Sequence, residues 1–547
     1  MTVRAAQNGA RRGRRPPFAL LTALLGAGAC HDHGVVGVTV SKNIVERDAT
    51  TPSPDAEGSI DATIRSDAAD ASGFVSVDDC LPVNAANLDP TATQHLIDGT
   101  GDSTSMRFLY PYDGTVYPQG IPGPVLMWDG PAPDVVYVRI HSRRFDYRGC
   151  LKPSALNRLE LPTGIWDLAF ASARGATDPF TLDLKVASGE GIYGPISEQL
   201  VIANGALTGS VYYMTTQSPA AVGGVLRVRG GRSAEAVLTP PSCAGCHGVS
   251  ANGTRLLAFS SGGGSSFSVS GASPLTPLVS PTPGAEFAGV YPDGSVYVAS
   301  AHPTGGGGPR SYGGGVTNAA LYDTATGSLV GDSGVPTGAC MPMFSPDGQQ
   351  LVFTDFGASA GHTLATMRFS IETRTASSYQ ALYAATSKYV GWPAFLPDAS
   401  AVVFAQGDAP DFSGLGAGLI PVIVGPQTDP FIVDTTTRMP LLLAQAAGFH
   451  SASDVESGQT YLPGGAADLH QNYYPTVSPV AAGGYAWIFF DSVRSYGNQG
   501  THRAIWGTAV SISADGTYGS DPSHPAFYLP GQDPNTPNFR ALAVLEP

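Results

Sequence analysis

Apolar residues in this chain come in short alternating runs rather than at helical spacing. Val135-Val136-Tyr137-Val138-Arg139-Ile140, Leu159-Glu160-Leu161 and Phe180-Thr181-Leu182-Asp183-Leu184 alternate with the period of a half-buried strand. Gly, Pro and Asp turns separate them. Beyond residue 208 the pattern is strand, tight turn, strand. Phe344-Ser345-Pro346-Asp347-Gly348 precedes Leu351-Val352-Phe353, and Val290-Tyr291-Pro292-Asp293-Gly294 precedes Val296-Tyr297-Val298. Phe395-Leu396-Pro397-Asp398-Ala399 precedes Val402-Val403-Phe404, Val249-Ser250-Ala251-Asn252-Gly253 precedes Leu256-Leu257-Ala258-Phe259, and Val477-Ser478-Pro479 precedes Ala486-Trp487-Ile488-Phe489-Phe490. Asp/Asn-Gly at such turns supplies the positive φ that a hairpin needs. These patterns predict an all-β protein.

The five copies, aligned on Ser250, Tyr291, Ser345, Leu396 and Ser478, step by 41, 54, 51 and 82 residues. Repetition at this period marks a propeller or solenoid. The repeat resembles the blades of TolB-like β-propellers, whose mark is the Ser-Pro-Asp-Gly turn. That resemblance covers 208–547 and implies a closed ring. The strand Asn538–Val544 at the C-terminus, with 211–214, 224–228 and 234–238, supplies a sixth blade joining both ends, so that no sheet edge stays open. Six blades are expected, with seven as the alternative. The long step holds a Gly/Pro-rich insertion at about 406–430. Gly414-Leu415-Gly416-Ala417-Gly418 inside it is followed by no helix, and reads as a loop rather than a phosphate cradle. Residues 105–207 resemble an immunoglobulin- or fibronectin-like β-sandwich through Tyr110-Pro111-Tyr112-Asp113-Gly114-Thr115-Val116 and Val125-Leu126-Met127-Trp128.

The chain's start changes the picture. Arg4, Arg11, Arg12, Arg14 and Arg15, an apolar run from Phe18 to Leu25, and Gly26-Ala27-Gly28-Ala29-Cys30 read as an export signal over 1–29. Small residues ending in Cys resemble a bacterial lipoprotein cleavage site, with Cys30 lipidated. An ordinary secretory signal cut near Ala29 is the alternative. Residues 30–104 read as an acidic, disordered tether and lead-in. An exported chain, periplasmic or on the outer surface, is expected, touching a membrane through its lipid only. The formal net charge is −15 over 547 residues, and removal of five Arg with the signal makes it more negative. That opposes nucleic-acid binding.

Six cysteines matter in such a compartment. Cys80 and Cys150 are expected to form a disulfide, with two unpaired thiols as the alternative. Cys243-Ala244-Gly245-Cys246-His247 is the attachment signature for c-type haem: two thiols add to the vinyl groups and the adjacent His reaches the iron. A plain disulfide or another metal are the competing readings. The other cysteines, 80, 150 and 340 among the exported residues, make no second Cys-x-x-Cys for a zinc site.

One covalent haem c is therefore expected at 243–247, mounted on the propeller, with His247 as proximal ligand. In the repeat frame Cys246 falls opposite Phe287, Met341, Trp392 and Tyr474, in the ring around the channel. Met341 is the first candidate for the sixth iron ligand, His470 the second and Met343 the third; an open position is the remaining case. Phe287, Trp392, Tyr473 and Tyr474 are expected to wall the haem. Cys340 reads as a buried thiol. No Gly-x-Ser-x-Gly, His-Glu-x-x-His or P-loop is present. The expected function is electron transfer with a redox partner in the cell envelope. A haem enzyme with an open iron position and a TolB-like protein-binding scaffold are the alternatives.

Overall fold

The computed structural model describes residues 73–547 apart from 190, 216–223, 231, 239–245, 261–262, 270–274, 276, 283–286, 301–317, 409–426, 501 and 535. The export signal, Cys30, most of the tether, Cys243 and the Gly414–Gly418 loop lie outside these residues.

The described chain is all-β, and its sheets answer the repeat one for one. Blade 1 is Cys246–Val249, Arg255–Ser260, Gly263–Ser268 and Pro277–Thr282, and blade 2 is Phe287–Val290, Val296–Ser300 and Ala320–Asp323. Blade 3 is Ala339–Phe344, Gln350–Asp355, Thr363–Ser370 and Thr375–Ala384, and blade 4 is Tyr389–Phe395, Ala401–Gly407, Thr428–Asp434 and Pro440–Leu442. Blade 5 is Asn472–Val477, Tyr485–Ser492, Ala504–Ser511 and Phe527–Tyr528. Blade 6 closes the ring from both ends of the domain: Asn538–Val544 is its innermost strand, followed outward by Ser210–Thr215, Gly224–Arg229 and Glu235–Leu238. The protein is a six-bladed β-propeller. All of these pairings are antiparallel, each strand of a hairpin returning beside the last.

The Ser-Pro-Asp-Gly turns show why the repeat carries those residues. Ser345 Oγ donates to Asp347 Oδ1 at 2.5 Å and accepts from the Gln350 N–H at 2.9 Å, while Gly348 sits at φ 74°. A Cβ on Gly348 would come within 2.4 Å of the Tyr291 hydroxyl of the preceding blade, so glycine also permits the blades to stack.

The N-terminal module is a β-sandwich. Its larger sheet runs in the order Val75–Asp79, Phe145–Leu151, Val135–His141, Phe180–Ser188, Gly191–Ala206, Thr115–Gln119; its smaller sheet is Arg107–Tyr110, Leu126–Asp129 and Arg158–Leu159. The strand Val75–Asp79 and the helix Pro90–Asp98 extend regular structure upstream of residue 105. The sandwich does not stand apart from the propeller. One apolar core runs from Val116, Trp128 and Val138 to Tyr213, Trp487 and Phe527 of blades 5 and 6. Tyr110 sits edge-on to Trp506 and Tyr496, and its hydroxyl accepts from the Tyr528 N–H.

Cys80 and Cys150 are bonded across a sequence separation of 70 residues, beside the parallel pair Val75–Asp79 and Phe145–Leu151. A loop of that length implies roughly 4 kcal/mol of unfolded-state restraint. Reduction should lower the urea midpoint of the protein accordingly; an unchanged midpoint would show that the bond does not constrain the unfolded chain. Cys340 is fully buried, and burial pushes its thiol up to about 12. No helix among the described residues is long and apolar enough to cross a membrane.

Candidate functional site at the propeller channel

The innermost strands bring the aligned residues together. In blades 3, 4 and 5 the pairing with the second strand breaks between Cys340 and Met343, Gly391 and Ala394, and Tyr473 and Thr476. The residue at each break has left-handed backbone: Met341 at φ 52°, Trp392 at 55° and Tyr474 at 54°, each followed by proline. Arg540 takes φ 57° at the matching place in blade 6. Such backbone costs a residue with a Cβ on the order of 1–3 kcal/mol, and strain of this kind clusters at functional sites. Four blades repeat it, and each turns a large side chain to the channel. Blades 1 and 2 lack the break, since Cys246 pairs with Phe259 and Phe287 with Ser300 in unbroken register.

The result is a packed ring. Trp392 lies edge-on to Phe287 at 5.2 Å and to Tyr474 at 4.3 Å. The Arg540 guanidinium stands 4.8 Å from the Trp392 ring centre and 5.9 Å from that of Phe287, a cation held on aromatic faces. The Met341 thioether accepts from the Trp392 N–H at 3.3 Å. Met343 lines the same cavity. The space left among these residues is about 30 Å³.

His247 is the second residue of blade 1. A Cβ on its neighbour Gly248 would meet Ala288 and Val290, so Gly248 faces blade 2. Strand alternation therefore turns His247 toward blade 6. The side chain is wholly buried, and neither ring nitrogen has a hydrogen-bond partner. An orphaned buried polar group costs about 1–3 kcal/mol, and native proteins rarely carry one unexplained. Burial first, and the Arg540 charge second, push its pKa well below the ordinary histidine range. The imidazole is thus neutral, the form that binds a metal.

Beside the ring lies a buried ion pair. Arg503 Nε donates to Asp491 Oδ2, the Arg540 N–H donates to Asp491 Oδ1 at 3.2 Å, and the Arg503 guanidinium lies 4.3 Å from the Tyr473 ring centre. Burial raises the Asp491 carboxyl to about 6 against the opposing pull of Arg503. A raised carboxyl favours the folded state at low pH; that contribution is complete below 3.8 and is lost as pH rises through about 6. Asp491→Asn should remove a slope of at most about 1.4 kcal/mol per pH unit in that window. Urea unfolding at several pH values checks this, and an unchanged slope would deny the raised value.

His470 lies elsewhere. Its carbonyl accepts from Thr428 at the start of blade 4's third strand, and its Nδ1 is 2.6 Å from Asp429. That hydrogen bond raises its pKa. Asn472 links Asp429 to the buried Arg494. His470 is therefore held on the shoulder between blades 4 and 5, outside the channel lining, whereas Met341 stands within it. Among the described residues no three His, Cys, Asp or Glu side chains gather as a metal-binding group. Arg540, Asp491 and Arg503 were not singled out by the repeat. The first could have been: Asn538-Phe539-Arg540-Ala541 fits the frame of Asn472-Tyr473-Tyr474-Pro475, but its strand has no following turn to align on.

The haem c signature meets this structure at His247. A neutral, buried imidazole with two unpartnered nitrogens, next to Cys246 at the head of the strand, suits the donor set of the group.

These features define a class: a six-bladed propeller with a filled channel, a sandwich fused to its rim and an orphaned histidine at the entry of blade 1. Among solved structures the chain is similar to TolB from Acinetobacter baumannii (12% identity, 71% of this chain and 90% of that one, TM-score 0.34). It is also similar to a TolB from Agrobacterium tumefaciens (14%, 62% and 98%, TM-score 0.30) and to Kuenenia stuttgartiensis hydrazine synthase (12%, 51% and 65%, TM-score 0.29). At such scores the likeness adds nothing to the blade assignment, which rests on the strand pairing. No protein-family model and no curated protein matches the sequence.

Proposed function

We propose that the chain is an exported c-type cytochrome whose single haem is attached through Cys243 and Cys246, with His247 as the proximal iron ligand. The observation that carries this reading is the unpartnered, neutral, fully buried His247 directly after the second cysteine. The group would supply one reversible electron, and its potential would be set by the axial ligand, burial and nearby charge. The chain's own residues do the rest. His247 is kept deprotonated by burial, and Arg540 adds positive charge near the site. Phe287, Trp392 and Tyr474 line the channel behind it with aromatic surface. Met341 is the residue of the ring that offers a further soft ligand, although its sulfur already accepts from Trp392; His470 is engaged by Asp429. A lipid on Cys30 would hold the molecule near a membrane, and an envelope redox partner would dock on the propeller. A potential titration of the purified protein, followed by visible absorbance, tests the function. A single reversible one-electron step with a low-spin ferrous spectrum is expected. A high-spin iron that shifts with added small ligands would instead mark a haem enzyme.

A further inference from the structure

Blade 2 pairs three strands among the described residues and blade 3 four, so the outermost strand of blade 3, Thr375–Ala384, has no counterpart beside it. An open groove of about 1370 Å³ lies along this strand. Tyr379 stands in it with its side chain in the open, 46% exposed for so large a ring. Three features hold that ring out. The strand bulges between its pairings Ser377 with Arg368 and Gln380 with Thr366, and a bulge re-aims the side chains it carries. Ser378 at the bulge takes left-handed backbone, φ 56°, which costs a residue with a Cβ on the order of 1–3 kcal/mol. The Tyr379 hydroxyl donates at 2.6 Å to Asp355, a carboxylate only 4% exposed that also accepts from the Ala358 N–H. Phe353 backs the ring at 6.3 Å. The groove does not depend on the haem reading.

The rest of the lining sets the kind of ligand. Gln349, Ser377, Ser378 and Gln380 are exposed and Gln350 half-buried, and amides and hydroxyls both donate and accept. Arg368 and Glu372 are the only charged residues of the lining, and their signs cancel. A charged polymer therefore finds no field to follow. A peptide added as a further strand needs an unbroken edge, and the bulge at Ser378 interrupts it. A neutral oligosaccharide fits both features: hydroxyls that donate and accept, and flat C–H faces that lie on an aromatic ring. Tyr379 is fixed before the ligand arrives, so little freedom is lost on binding.

We infer that this groove on blade 3 binds a neutral oligosaccharide, with the open face of Tyr379 stacked on a pyranose ring and the neighbouring amides and hydroxyls pairing with its hydroxyls. Isothermal titration calorimetry of the full chain with cellohexaose and with chitohexaose tests this. Saturable binding of at least one is expected, and added salt should leave the affinity unchanged, because no charge is paired. Tyr379→Ala should weaken binding by about tenfold or more, as truncation of an aromatic anchor does. Tyr379→Phe keeps the ring and loses only its tether to Asp355, so it should weaken binding a few-fold and reports on the groove even if the alanine variant folds poorly. No saturable heat with either sugar, affinity unchanged in Tyr379→Ala, or binding that fades as salt is added would overturn the assignment.

Discussion

Arg503→Met should destabilise the protein by about 3–5 kcal/mol, one of the largest effects available from a single side chain here. The reason is asymmetric burial. Asp491 is fully buried and Arg503 is 8% exposed, so removing the cation leaves a carboxylate with no counter-charge and no water. The substitution also strips a cation from the face of Tyr473. Asp491 can escape the penalty by taking up a proton, so the loss should be smaller at pH 5 than at pH 8. The double variant Arg503→Met/Asp491→Asn removes the orphaned charge and keeps an oxygen for the Arg540 N–H. It should recover most of the loss. Urea unfolding of the three variants decides. If the single variant costs less than about 1 kcal/mol, or the double variant costs as much as the single, the pair is not the buried clamp described.

The second large effect concerns His247, where stability and function should part company. In the haem-free chain His247→Phe replaces two unpartnered nitrogens with apolar carbon of similar shape. Stability should hold within about 1 kcal/mol or rise, because an orphaned polar group is removed. In cells that attach haem, the same variant should lose the low-spin iron spectrum. A histidine kept for structure would do the reverse: its replacement would destabilise the haem-free chain and leave any bound iron unaltered.

Much of this architecture could be read from the chain because the propeller repeats itself. Ser-Pro-Asp-Gly turns demand a fixed set of side-chain contacts and a positive φ, so each copy announces a blade. The ring closure was legible because Asn538–Val544 had no other partner to pair with. Ring positions Phe287, Met341, Trp392 and Tyr474 followed from the common frame. The orientation of the last three did not: it depends on the left-handed backbone before Pro342, Pro393 and Pro475, which alternation alone does not reveal. Arg540 lay hidden because its strand ends the chain and lacks the turn that anchors the alignment. Asp491 and Arg503 sit on adjacent strands, where ion pairing leaves no periodic signature. His470 was close to the ring by count of residues, but the segment before Asn472 runs outward along blade 4, and Asp429 holds it there. The sandwich was visible as alternation, while its shared core with blades 5 and 6 was not, since contacts such as Tyr110 with Trp506 join residues far apart in sequence.

The central claim is tested most directly by the intact mass of the full chain, denatured after expression in a cell with haem-attachment machinery. The mass should exceed that of the processed polypeptide by one haem, and Cys243→Ala/Cys246→Ala should remove the increment. A wild-type mass with no haem, under conditions where a control cytochrome c is loaded, would contradict the account.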